Sequence, residues 1–251
     1  MKITSVDIIA LEVNGGKSMP YPVGEWRPVL CRIHTSEGIY GLGEAALAFG
    51  KAAPSVFSML KDIADLIIGM NPLDTELIWD KLYKTIFWGQ NGGPIVFTAI
   101  SAIDIALWDI KGKYFQVPVY QLLGGKRREK LRTYASQLHY GWSPEVTVSA
   151  TLSDYAQAGE SAVEQGYTAV KLNPFLFDEN GQPFPFGTQT GLQNQDYLNL
   201  VEERVCEVRK TVGNHCDIII ELYSVTDAQP AIQIANRLEK YNIFLSRNRI
   251  R

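Results

Sequence analysis

The chain has 251 residues, 46% of them hydrophobic, enough to bury a large core in one or two domains. Its 24 Lys and Arg against 27 Asp and Glu leave a net charge of −3, which excludes a broad electrostatic surface for nucleic acid or an anionic membrane and favours a small-molecule partner. Cys31, Cys206 and Cys216 lack metal-knuckle spacing and read as buried free thiols of a reducing compartment. No apolar h-region follows Met1 and no apolar run approaches the ~20 residues a bilayer requires, so the expected location is cytoplasmic.

In chain order, Ile3 to Val13, Pro28 to His34 and Ile39 to Glu44 predict three antiparallel strands, with Thr35-Ser36-Glu37-Gly38 as turn chemistry. Between the first two strands, Gly15 to Arg27 carries Met19, Tyr21 and Trp26 among Gly and Pro, the pattern of a segment that covers a site. Val56, Leu60, Ile63 and Ile67 recur at helical spacing, as do Leu77, Ile78, Leu82 and Ile86. Gly92-Gly93-Pro94 opens a third helix, whose apolar face is Phe97, Ile100, Ile103, Leu107 and Ile110. Gly41-Leu42-Gly43-Glu44 is assigned to structure, since no strand-turn-helix unit surrounds it to cradle a nucleotide.

Beyond residue 125 the pattern alternates. Strands are expected at Leu131 to Ala135, Thr168 to Leu172, Asp217 to Leu222 and from Ile243, and helices at Asp154 to Gln165, Tyr197 to Val212 and Asp227 to Lys240, the last capped by Thr226. Right-handed crossovers wind four such β-α starts into half of a barrel. The expected architecture is an α+β N-terminal cap domain, residues 1–125, followed by an incomplete (β/α)8 TIM barrel, residues 126–251.

Barrel chemistry sits at the carboxyl ends of strands. The two-residue strand period puts Lys171 and Asn173 on one side at such an end, where an ammonium binds a substrate carboxylate; a lysine snorkelling outward is the alternative. Glu221 closes an apolar run, where an unpaired charge is costly, so either a divalent cation or an ion pair with Lys171 must neutralise it. Tyr223, two residues on, shares its face and is placed to touch substrate or metal-bound water. His34, His139 and His215 have no ligand spacing and read as core or surface residues. Trp26 and Trp88 are candidates to line the cap over the barrel mouth, with core packing or ordinary surface roles as the favoured alternative.

Ala99 to Gly124, beginning Ala-Ile-Ser-Ala-Ile-Asp-Ile-Ala-Leu-Trp-Asp-Ile-Lys-Gly, resembles the first signature of the mandelate racemase/muconate lactonizing branch of the enolase superfamily. Lys171-Leu172-Asn173 is similar to the Lys-x-Asn form at that family's second barrel strand, commoner among acid-sugar dehydratases of the galactonate type. The resemblance implies a Mg²⁺-dependent lyase that removes the proton α to a sugar-acid carboxylate and expels a β-hydroxyl as water. Lys171 is then the catalytic residue that holds or polarises substrate, Asn173, Tyr223 and Trp26 bind substrate, and Glu221 is a metal ligand where the family usually has Asp. Asn173 cannot take the α-proton that a lysine there takes in related enzymes. Racemisation or cycloisomerisation is the rival chemistry, and a non-catalytic fragment or interaction module the rival class. The intact form is expected to be a homo-oligomer.

At the fourth strand the resemblance implies Glu-Glu-Pro, yet the chain reads Ser246-Arg247-Asn248-Arg249-Ile250-Arg251. Ser-Arg-Asn-Arg can be encoded TCG AGG AAC CGN, whose adjoining frame contains GAG GAA CCG, the codons of Glu-Glu-Pro. A C-terminal truncation, by frameshift or otherwise, is therefore expected, leaving a chain without part of the metal site and the late-strand base and inactive alone.

Overall fold

Alternation of apolar and polar residues builds a first sheet from β1 (Ile3–Ala10), β2 (Val29–Thr35) and β3 (Tyr40–Ala45), antiparallel and in the order β1-β2-β3. The computed structural model describes residues 1–13, 26–48, 50–144, 146–185 and 187–247, excepting the side chains of residues 88 and 245–247. The chain divides into two units, Met1–Glu129 and Lys130–Arg251. In β2, buried Val29, Cys31, Ile33 and Thr35 alternate with half-buried Leu30, Arg32 and His34, the period-2 signature of a sheet with one covered face. The first strand ends at Ala10, short of Val13, and most of the Gly15 to Arg27 segment, with Met19 and Tyr21, lies outside the described residues.

Helices α1 (Ala53–Ala64), α2 (Thr75–Thr85) and α3 (Pro94–Phe115) complete the first core. Val56, Leu60, Ile63, Ile78 and Leu82 are buried as their spacing implies, but Leu77 is exposed. Pro94 lies in the first turn of α3, where its missing N–H leaves no hydrogen bond unmade. Ile100, Ile103, Leu107 and Ile110 face inward, whereas Phe97 is partly exposed and stacks on Tyr83 with ring centroids 6.0 Å apart. Gly41 and Gly43 are structural as expected: a Cβ at either would overlap the carbonyl oxygen of Ala106 or Ala102. Glycine on β3 facing Ala102 and Ala106 on α3 lets helix and strand backbones approach where any side chain would hold them apart. A short α4 (Val119–Leu122) follows.

In the second unit, α5 (Leu152–Glu164), β4 (Ala169–Leu172), α6 (Gln195–Val212), β5 (Asp217–Glu221), α7 (Ala228–Leu238) and β6 (Leu245–Arg247) alternate, and the strands form a parallel sheet in the order β4-β5-β6. Val170, Leu172, Ile218 and Ile220 pack with Tyr155, Val201, Val205, Val208, Ile234 and Leu238 in its core. The strand expected at Leu131 to Ala135 reduces to one parallel bridge, Ala135 to Val170. Leu131 is 76% exposed, and the Arg132 guanidinium turns to the Thr168 carbonyl and Asp217, so the apolar run is not taken up into the sheet. Thr151 and Asp154 form a capping box on α5, and Asn194 caps α6. Asp227, not the buried Thr226, caps α7, its carboxylate accepting the Gln229 N–H at 3.2 Å. All three cysteines are free; Cys31 and Cys216 are buried, while Cys206 is only half-buried. Among the described residues no helix is long and apolar enough to cross a membrane.

The fold is thus an α+β N-terminal unit followed by the opening strands of a barrel-like parallel sheet.

Candidate active site

Parallel pairing of β4 with β5, with Lys171 opposite Ile219 and Leu172 opposite Ile220, brings the carboxyl ends of the two strands side by side. There Lys171 Nζ donates to Glu221 Oε2 at 2.9 Å, with the lysine 6% and the glutamate 5% exposed. Stripping water from either charge alone is expensive, and the pair is tolerated because each ion supplies the other's neutralising partner. Lys171 Nζ also lies 5.4 Å from the centre of the Tyr134 ring, whose face favours a cation.

Asn173, directly after β4, is fully buried. Its Oδ1 accepts the Phe175 N–H at 3.1 Å, and its Nδ2 has no hydrogen-bond partner among the described residues. An orphaned buried donor is costly, so it marks a position where an acceptor oxygen would be welcome. Tyr223 follows β5 in the left-handed region, with φ 49°, and Ser224 follows at φ 55°. The strand period therefore ends before Tyr223, and this turn, rather than a shared strand face, carries its ring to His139, with centroids 5.7 Å apart.

His139 is the site residue that reasoning from spacing passed over. It sits in a 3-10 turn, Leu138–Tyr140, four positions beyond Ala135, and is fully buried. Its Nδ1 accepts the Asn173 N–H at 3.0 Å, and its Nε2 lies 3.4 Å from the Tyr223 hydroxyl. Burial first, and the Lys171 charge second, push its pKa down to about 3, so the ring is neutral. Burial, with the Glu221 charge adding to it, pushes the Tyr223 phenol up to about 12. The available signal was position: a histidine just past the first barrel strand belongs to the functional end.

The connection from β4 to α6 is long and internally tied. Arg204 on α6, fully buried, donates to the carbonyls of Pro174, Phe177, Asp178 and Ala150 at 2.7 to 2.9 Å. Gln189 donates to the Phe175 carbonyl. This wall beyond Asn173 is pre-organised by side chains that reach it from behind.

Lys171, Asn173, Glu221 and Tyr223 therefore share one unit and one end of its sheet. Trp26 belongs to the other unit, where it is 39% exposed and its carbonyl accepts the Val13 N–H. A magnesium ion demands an octahedral set of oxygens. Among the described residues no three or more His, Cys, Asp or Glu are grouped to hold a metal. Glu221 offers one carboxylate, already bonded to Lys171, and its register partner on β6 is Arg247. One carboxylate can contribute to a metal site without being one.

Residues 20–124 match the mandelate racemase/muconate lactonizing enzyme N-terminal domain. The chain is 33% identical over 231 residues to a D-galactonate dehydratase family member of Marinomonas sp. (strain MWYL1), and 30% identical over 225 residues to a D-mannonate dehydratase of Novosphingobium aromaticivorans. Each alignment covers 86% of this chain and 54% of the relative, so the chain spans about half the length of the curated relatives it matches. A solved enolase-superfamily member from Salmonella Typhimurium is 43% identical, with a TM-score of 0.90 over 98% of this chain and 60% of that one. By fold and sequence the chain is a relative of the enolase superfamily. Within it, residues 20–124 are similar to the N-terminal domain of the mandelate racemase/muconate lactonizing branch, and the longer relatives the chain resembles are named as sugar-acid dehydratases.

Proposed function

We propose that the whole protein is a cytoplasmic dehydratase of a sugar acid, and that this chain supplies the part of the site that grips the substrate carboxylate. The observation that carries this reading is the buried Lys171–Glu221 pair at the carboxyl ends of adjacent parallel strands. A carbon acid next to a carboxylate loses its proton only if the growing negative charge on the carboxylate oxygens is met by fixed positive charge and donors. Lys171 provides the charge, and Asn173, directly after β4, carries an unpartnered Nδ2 donor at the same end of the sheet. The Cα–H proton leaves to a base, the electron pair expels the β-hydroxyl, which departs with a proton as water, and the resulting enol becomes a 2-oxo-3-deoxy acid.

Glu221 is the carboxylate this chain would contribute toward the Mg²⁺ implied by the family, which would supply further positive charge beside the substrate carboxylate when bound. Exposed Phe115, Tyr120 and Leu123 at the end of the first unit supply apolar surface for a homo-oligomer contact.

The test is to incubate the whole protein, of which this chain is part, with D-galactonate, D-mannonate and D-gluconate and to detect a 2-oxo acid as its semicarbazone, beside Lys171→Ala. Product that disappears in the variant supports the reading. A folded protein that forms no 2-oxo acid from any of the three, or a variant as active as the parent, would sink it.

A further inference from the structure

Backbone chemistry fixes one feature of the site that its side chains alone leave open. The Asn173 N–H can only donate, and it points at His139 Nδ1 at 3.0 Å. That nitrogen must therefore be bare, and in a neutral ring the proton then resides on Nε2. Nε2–H faces the Tyr223 hydroxyl at 3.4 Å, so it donates and the phenol oxygen accepts. With His139 as a donor, the Tyr223 hydrogen cannot point back along the same line. Among the described residues His139 is the hydrogen-bond partner of that hydroxyl, and Tyr223 is only half-buried.

We propose that His139 is a positioning residue whose tautomer, set by the Asn173 backbone, makes the Tyr223 hydroxyl a one-way donor toward a substrate oxygen. This rests on the sugar-acid reading and deepens it. Lys171 meets the carboxylate, whereas Tyr223 selects for a ligand that presents an oxygen acceptor, a hydroxyl or carboxylate oxygen, at the β5 end. The groups around Tyr223 are consistent with that polarity: neutral His139 beside its hydroxyl, and Glu221, which accepts the Tyr223 N–H at 3.4 Å and is itself paired with Lys171. The left-handed pair Tyr223 and Ser224 gives the turn a conformation that L-residues seldom adopt, and it is what brings the ring to His139.

The first measurement is the long-range proton–nitrogen spectrum of ¹⁵N-histidine-labelled protein at neutral pH, with His34→Gln and His215→Gln used to assign the rings. The expected result is a neutral His139 ring protonated on Nε2, whose Nε2 resonance moves in Tyr223→Phe while Nδ1 stays. A proton on Nδ1, an imidazolium, or an Nε2 signal indifferent to Tyr223→Phe would overturn the proposal. The second is calorimetric binding of D-galactonate, D-mannonate and D-gluconate to the parent, to Tyr223→Phe and to the remote control Tyr241→Phe. Loss of one hydrogen bond to a charged ligand predicts about a tenfold weaker affinity in Tyr223→Phe and none in the control. Unchanged affinity in Tyr223→Phe overturns the donor role. A parent that binds none of the three acids overturns the dehydratase reading and the substrate half of the proposal with it, while the ring spectra still decide the tautomer.

Discussion

Among the described residues, the first unit buries Thr35 and Thr75 as its polar side chains, within a core of aliphatic residues and tight glycine–alanine contacts. The second buries Lys171, Glu221, His139, Asn173 and Arg204. Both units have an apolar core of comparable make-up, so hydrophobic burial does not distinguish them. The two units differ in where the fold accepts polar cost. Ionised groups lose hydration on burial and are retained when partners compensate them, and in the second unit those partners converge at the carboxyl ends of β4 and β5.

The contrast breaks most sharply at the ion pair. Lys171→Met leaves Glu221 buried without its cation and is expected to cost the second unit about 3–5 kcal/mol in urea unfolding, with hydrogen exchange at β5 amides as the local readout. Lys171→Met with Glu221→Leu should recover most of that loss. A single variant costing no more than an exposed lysine would mean that the pair is not dry and that the two units are alike after all.

The first unit is tested at its closest backbone approach. Gly43→Ala forces α3 away from β3 and should destabilise that unit by about 2–3 kcal/mol, leaving exchange in β4 and β5 unchanged. A neutral effect would show that the strand can shift to admit a methyl group.

The smallest effect per increment, though a cumulative one, is with pH. His139 has a folded pKa near 3, below the unfolded value near 6.5, so the unfolded chain binds a proton first as pH falls. Stability is present above about pH 6.5 and declines by about 1.4 kcal/mol per pH unit between there and pH 3. Melting temperatures over this range should fall less steeply in His139→Gln than in the parent. Parallel slopes would place the acid sensitivity elsewhere.

Much of this molecule follows from local pattern. Val56, Leu60 and Ile63 at helical spacing, Pro94 opening α3, and the apolar strands ending at Leu172 and Glu221 all depend on neighbours a few residues away, and periodicity records such neighbours. Where a long-range partner intervenes, local pattern misleads: Leu131 to Ala135 looks like a strand, but only Ala135 finds a partner. Phe97 sits at a core-like position yet stacks on Tyr83 near the surface.

Local pattern was enough for the helices, the strand ends and the residue types offered there, Lys171, Asn173 and Glu221. Tertiary structure alone decided that Lys171 neutralises Glu221 across 50 positions, that His139 meets Tyr223 across 84, and that Arg204 secures the wall beyond Asn173. The physical reason is that amphipathic period encodes which face of an element is buried. Which charged ends then meet depends on strand order, parallel register and the dihedrals of the turns between them.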